Sequence, residues 1–306
     1  MAEYRQDGRL EGRLVPSVAA RQLRMMLRHR IALLEQRHEV HKQIRDLFET
    51  ASRKLASVVR NLMGATGRGS VEALIAGENS AERLSWEVRG SRRKKEKLVR
   101  ESLKGCFSQF HRTLLESQYR HYPFLTQEIT SFEERMAKAM EPYAAQGELL
   151  LSIPGVDRMI AWHLLAELRL DVPVFPDAAH CCPWAGLVPG ENESAGKHKS
   201  TRCRKGSKTL RRVLTQAAWA VSHTKKGSLR AFYHRRKARR GWPKAIVATG
   251  HKVLVIAFQV LKNRTPYREA GGDYFDRLQP ATTARKLVKR LEALGHRVQL
   301  SPMTAV

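Results

Sequence analysis

Leu27, Leu34, His41, Phe48, Leu55 and Leu62 stand seven residues apart, with Ile44, Ala51 and Val58 at companion positions. A seven-residue apolar repeat keeps one seam of a helix turned toward a neighbour, and no strand can use it. It predicts one long helix over residues 17–63. Arg30, Arg37 and His41 dilute the seam in its first half. Two readings are therefore open: a helix packed on its own chain, and a dimerising coiled coil.

Gly64–Ser70 (GATGRGS) ends this helix, and Gly77-Glu78-Asn79-Ser80 is a second break. Another helix is expected from about Ser91, with Leu98, Leu103, Phe107, Phe110 and Leu114 on one face. Pro123 should interrupt it, and Ile129, Phe132, Met136 and Met140 resume the stripe up to Pro142. Two long helices joined by a smaller helical piece predict an elongated antiparallel arm. Its run Arg92-Arg93-Lys94-Lys95 reads first as a solvated face, with a phosphate contact as the alternative. From about Gly147 the texture changes to short helices with Pro- and Gly-marked turns. The end of the chain reads as a helix through Leu287, Leu291 and Leu294, stopped by Gly295, with Arg297–Leu300 as a short strand. The expected class is mainly α, with no extensive sheet.

Charge narrows the partner. The 306 residues hold 56 Lys+Arg against 29 Asp+Glu, a formal net charge of +27. That balance favours a polyanion and electrostatically steered association. A hydrophobic content of 42% argues against a disordered basic tail. Between Ser194 and Arg268 there are 21 Lys/Arg and no Asp or Glu, with Trp219, Phe232, Tyr233, Trp242 and Tyr267 interleaved. Solvated faces mix signs, so this block reads as a surface for phosphates. Core packing is the simpler account of Trp219 and Phe232. The block cannot build a carboxylate-held magnesium site of its own.

Four cysteines, Cys106, Cys181, Cys182 and Cys203, are too few for a secreted disulfide scaffold, and the first residues carry charge where a signal peptide needs an apolar run. These features predict a reduced, cytoplasmic protein. The longest apolar stretch, Ala245–Leu261, contains His251 and Lys252, so it reads as a core helix and not a membrane span.

Two segments carry candidate chemistry. In residues 149–168, LLLSIPGVDRMIAWHLLAEL, the turn Ile153-Pro154-Gly155-Val156 joins two apolar helices. It resembles a helix-hairpin-helix, in which backbone N–H groups of a tight turn meet a nucleic-acid phosphate, here at Gly155 and Val156. The other reading is an ordinary helical turn, with Asp157 as an N-cap. In residues 184–212, Ser194 lies in a polar loop, followed by Gly196, Lys197, Arg202, Arg204, Lys205, Lys208, Arg211 and Arg212. A serine attacking a phosphodiester needs a proton acceptor and cations for the developing charge. The cations are near in sequence; a base is not evident, and a loop serine is more often a turn residue. Asn192–Gly196 lacks the first glycine of a hydrolase elbow, and Gly206–Thr209 lacks P-loop spacing. His180, Cys181, Cys182, His198 and Cys203 lack paired zinc spacing, so buried structural cysteines are expected and no metal ligands are assigned.

The runs IPGVD, PWAGLVP, ESAGK, CRKGSKTLRR and GWPKAIVATGHKVL together resemble the C-terminal half of insertion-sequence DEDD transposases of the IS-one-ten type, a group that includes the Piv-type DNA invertases. The resemblance covers roughly residues 147–268, and the upstream helices correspond in position to that family's coiled-coil arm. It implies DNA strand cleavage and exchange by a two-part site. A RuvC-like domain holds divalent metal, magnesium, through an Asp-Glu-Asp-Asp set, and a second domain supplies a serine that joins covalently to DNA. Carried over by position, that serine is Ser194, with Gly196 and Lys197 completing its loop and Arg202, Arg204, Lys205 and Arg211 in the basic continuation. The implied partners are DNA, a structured guide RNA in several members, and further copies of the chain as a dimer or tetramer.

In the family the last metal-binding aspartates lie just before a segment resembling residues 1–17, so the metal-holding domain is expected to be missing. A truncated transposase, a misplaced start and one half of a split enzyme are the expectations. The expected organisation is a coiled-coil arm over 1–146, with 1–16 left from a preceding domain. A helix-hairpin-helix transposase domain over 147–270 and a tail over 271–306 follow. Two functions are carried forward: a recombinase with Ser194 as nucleophile, and an inactive nucleic-acid-binding remnant.

Overall fold

The computed structural model describes residues 17–59, 61–65, 67–86, 92–168, 175, 177–190, 193–194, 197–198 and 202–301. They form a mainly helical chain. Its two compact units are Met25–Ala139, and Met1–Arg24 together with Met140–Val306.

Within Met25–Ala139 the two longest helices are α1 (Val18–Thr50), most of which lies in this unit, and α6 (Gln109–Met140). Arg30 bonds Glu133 at 2.6 Å, His29 meets the Phe132 ring at 4.9 Å, and Arg37 and His41 face Tyr122. Ascending positions on one helix thus meet descending ones on the other, which makes the pair antiparallel. Leu33, Val40, Ile44 and Phe48 are buried in one cluster with Leu115, Leu125 and Ile129. The seam is therefore occupied by this chain's own second helix. In the middle of α1 the buried residues are Leu33 and Val40, while Leu34 and His41 are half-buried, and Leu27 and Phe48 on either side are buried as the repeat expects.

The first helix stops at Thr50, well short of residue 63. Ser52 adopts φ 56° and the Arg53 N–H bonds the Phe48 carbonyl at 2.8 Å, a left-handed helix terminus with serine in the place glycine usually takes. That backbone costs about 1 kcal/mol for a residue with a Cβ. Arg53, only 1% exposed, holds the break in place: its Nη2 donates to the carbonyls of Asn79 and Gly105, and its guanidinium lies over Phe107. Four short helices follow, α2 (Leu55–Val58), α3 (Arg68–Ile75), α4 (Ala81–Trp86) and α5 (Arg92–Ser102). The side chains of Arg92–Lys95 lie outside the described residues.

Two further expectations are corrected here. The helix from residue 92 does not continue through Phe110; it breaks after Ser102, and Leu98 and Phe110 are exposed while Val99, Leu103 and Phe107 are buried. Pro123, in contrast, does not interrupt α6. Its ring faces solvent, so the carbonyl that loses its partner one turn earlier can be hydrated.

The second unit is built on α12 (Trp242–Asn263), which packs on α7 (Ala144–Leu151), α9 (Ala178–Trp184), α10 (Lys208–His223) and α11 (Ser228–Arg240). Ala245, Ile246, Val253, Leu254, Ala257 and Phe258 of α12 are buried, as a core helix requires. Lys252 is half-buried, its ammonium over the rings of Phe232 and Phe275 at 5.0 and 5.2 Å. α8 (Arg158–Leu168) is buried along nearly its whole length, including His163 and Glu167. Strand structure among the described residues is one antiparallel pair, β1 (Glu193–Ser194) with β2 (Lys197–His198), and a bridge between Pro189 and Cys203. At the end of the chain, α13 (Tyr274–Leu278) and α14 (Pro280–Glu292) precede Gly295. Arg297–Leu300 form no strand, since no neighbouring segment pairs with them among the described residues.

Candidate nucleic-acid interface

The segment bearing Ser194 rises from a paired base. Gly190 N–H donates to the Arg202 carbonyl at 2.8 Å and Arg204 N–H to that of Val188 at 3.0 Å, flanking the Pro189–Cys203 bridge. Farther out, Ser194 pairs directly opposite Lys197, and Glu193 opposite His198. The register thus brings the serine and the lysine of the Ser–small–Gly–Lys loop to one cross-strand position. Ala195 and Gly196 lie outside the described residues, as do the side chains of Ser194 and Lys197.

Two glycines fix that base. A Cβ at Gly206 would stand 2.6 Å from the Trp184 carbonyl oxygen and 2.7 Å from the Gly186 Cα, so two backbones cross in contact here. Ser207 N–H then donates to the Trp184 carbonyl, and the Ser207 hydroxyl caps α10 by accepting from Leu210 N–H. Replacing Gly206 with Ala forces the backbones apart and should lower stability by about 2 kcal/mol, read as a shifted denaturant midpoint. An unchanged midpoint would show that the crossing can yield without cost.

The basic continuation divides in two. Arg202, Arg204, Lys205, Lys208 and Arg212 are exposed along the loop and the first turns of α10. Arg211 is half-buried and spends one Nη2 hydrogen on the Arg204 carbonyl at 2.5 Å. It ties the loop to the helix. The first acid beyond the block, Glu269, accepts from the N–H of Ser228 at the start of α11 and from Gly271 N–H. Burial pushes its carboxyl up, but these bonds outweigh that and hold it below the usual range.

The turn between α7 and α8 is tight as expected, but it is already engaged. Gly155 has φ 83°, and a Cβ there would lie 2.6 Å from the Ala217 carbonyl oxygen on α10. Val156 is 7% exposed and its N–H donates to the Ile153 carbonyl. Asp157 caps α8 by accepting from Ile160 N–H at 2.8 Å. Glycine is needed here for close packing on α10.

Cys181 and Cys182 are buried, which pushes their thiols up to about 12 and about 11 and leaves them protonated and poor metal ligands. His180 is bonded to Asp177 at 2.7 Å, and that contact holds the Asp177 carboxyl below its ordinary value. Among the described residues no three His, Cys, Asp or Glu side chains converge as a metal site. The described side chains thus do not fit the magnesium site implied by the resemblance.

Of the aromatics in the basic block, Tyr233 is buried and Phe232 half-buried. Trp219 is 42% exposed, which overturns the core reading for it, and Trp242 is 53% exposed. Their side-by-side placement depends on how α10 meets the start of α12. The sequence's one hint was His223, a helical turn beyond Trp219.

Residues 147–234 match the model of the transposase IS116/IS110/IS902 family. No curated protein matches the chain. The matched stretch spans the α7–α8 turn, the Ser194 loop and the start of α11.

Proposed function

We propose that this chain is a DNA transposase or recombinase chain in which Ser194 is the nucleophile for strand cleavage and exchange. The observation that carries the reading is the pairing of Ser194 opposite Lys197 on a loop whose continuation exposes five cations, inside the segment matched by the family.

In this reading the Ser194 hydroxyl attacks a backbone phosphorus. A Ser–O–P bond forms as the P–O bond to one strand end breaks. The departing oxygen takes up a proton, and the hydroxyl gives its own to a base or to water. Lys197, from across the pair, and the exposed Arg202 and Arg204 hold the phosphate as negative charge builds on its equatorial oxygens. Their contacts are to backbone, so they position DNA without reading its sequence. Magnesium is a family expectation. A structured guide RNA and a dimeric or tetrameric assembly belong to the same proposal.

The test is covalent capture. Purified chain, incubated with DNA of the element's ends and RNA transcribed from them, should yield a protein–DNA adduct stable to denaturation. Ser194→Ala should abolish it, and Lys197→Gln should slow its formation by about a hundredfold. An adduct of equal yield in Ser194→Ala removes the assignment. Tight binding with no adduct in any divalent metal would favour the inactive, nucleic-acid-binding reading instead.

A further inference from the structure

Trp219, near the end of α10, and Trp242, the first residue of α12, present exposed indoles with ring centroids 5.7 Å apart at 45°. His223 stacks on Trp219 at 5.8 Å and 25°. Tyr233, His234 and Lys237 complete a recess of about 320 Å3 beside them. Among the described residues no carboxylate lines this recess, and its three helices belong to the acid-free block. Two adjacent indoles left in water forgo burial that normally stabilises a fold, which marks the patch as a contact surface.

The chemistry selects the ligand. Aromatic cages take cations when the rings are the dominant local charge. Here Lys237 stands at the rim, with Arg230 and Lys237 close enough to His234 to help burial keep its imidazole below its ordinary value, so a cation is repelled. A planar ring attached to an anion satisfies both the indoles and the rim. The His223 Nδ1 lies 2.8 Å from the Trp219 carbonyl oxygen, which can only accept, so that nitrogen carries the hydrogen. In the neutral ring Nε2 is left as an acceptor for an N–H of the base.

We propose that this recess receives an unpaired nucleobase of a DNA or RNA strand, stacked on Trp219 and Trp242 with a neighbouring phosphate beside Lys237. A base inside a duplex cannot reach an indole face, so the recess selects single-stranded or unpaired nucleotides. The inference rests on the nucleic-acid reading above and deepens it.

Four probes of equal length separate the possibilities: oligo-dT, oligo-rU, an abasic deoxyoligonucleotide and a blunt duplex. Oligo-dT or oligo-rU should quench intrinsic tryptophan fluorescence on binding, and the abasic strand should not. Trp219→Ala and Trp242→Ala should each weaken the base-bearing strand by about fivefold or more while leaving the abasic strand and duplex unchanged. Trp219→Phe and Trp242→Phe, which keep an aromatic face, should restore most of the loss and control for folding. A larger effect with dT or with rU names the strand. Equal binding of the abasic and base-bearing strands by the unmodified protein overturns this inference and leaves the transposase reading standing. Failure of all four probes to bind overturns both.

Discussion

Duplex DNA affinity is expected to fall roughly a thousandfold between about 50 and 200 mM salt. The loop and the first turns of α10 expose Arg202, Arg204, Lys205, Lys208 and Arg212, and Lys197 is proposed as a sixth cation on the same phosphates. Neutralising about six phosphates releases their condensed counterions, giving log K against log salt a slope of about −5. The absence of any acid from Ser194 to Arg268 means that no intervening carboxylate of the segment offsets those charges. Neutralising one exposed position, Lys208→Gln for example, should reduce the slope by about 1 and weaken all sequences alike. Arg211→Gln should behave differently: its guanidinium is tied to the Arg204 carbonyl, so stability drops and the slope changes little. Electrophoretic or anisotropy titrations across a salt series read both. A slope near zero would place the DNA contact elsewhere on the chain.

Local pattern was legible wherever it carries its own reason. The core character of α12 and the Asp157 cap each follow from residues a few positions apart. What could not be read depends on contacts between distant segments. The break after Thr50 is held by Arg53, whose acceptors lie 26 and 52 residues away, so a heptad count runs straight through it. Pro123 is tolerated because its side of α6 is solvated, a fact about the neighbours of the helix.

The candidate site divides the same way. The Ser–small–Gly–Lys pattern and the acid-free block pointed to the loop and its exposed cations. Composition cannot tell an arginine that only faces solvent from one that also braces a carbonyl, as Arg211 does. The Gly155 turn is visible in the sequence, but the close approach of Ala217 to it is not. Trp219 looked like core because α10 is otherwise amphipathic, and only the start of α12 shows that its indole has a partner at the surface.

Arg24→Ala is expected to cost about 3 kcal/mol or more and to lower Tm on the order of 10 °C. Arg24 lies early in α1, within the unit that contains residues 140–306. Its Nε donates to the Ala166 carbonyl and its Nη2 to the Glu167 carbonyl, both at 2.8 Å. Those oxygens belong to the last turn of α8, where a helix has no donors of its own and where positive charge suits the dipole. The Glu167 side chain, 3% exposed, places Oε2 3.7 Å from the Arg24 Nε, a looser contact than the carbonyl bonds. The guanidinium also lies over Trp184, on the helix whose terminal carbonyl receives Ser207 N–H. Loss of Arg24 thus leaves two helix-end carbonyls and a buried carboxylate without this donor, and loosens the neighbourhood from which the Ser194 loop departs. Because the carbonyl bonds are the shorter ones, Glu167→Gln should cost far less than Arg24→Ala. Adding Glu167→Gln to Arg24→Ala should recover only the part due to the Glu167 charge. Denaturant midpoints for the two single variants and the double variant measure each share. If Glu167→Gln proves as damaging as Arg24→Ala, the ion pair and not the capping of α8 is what Arg24 supplies.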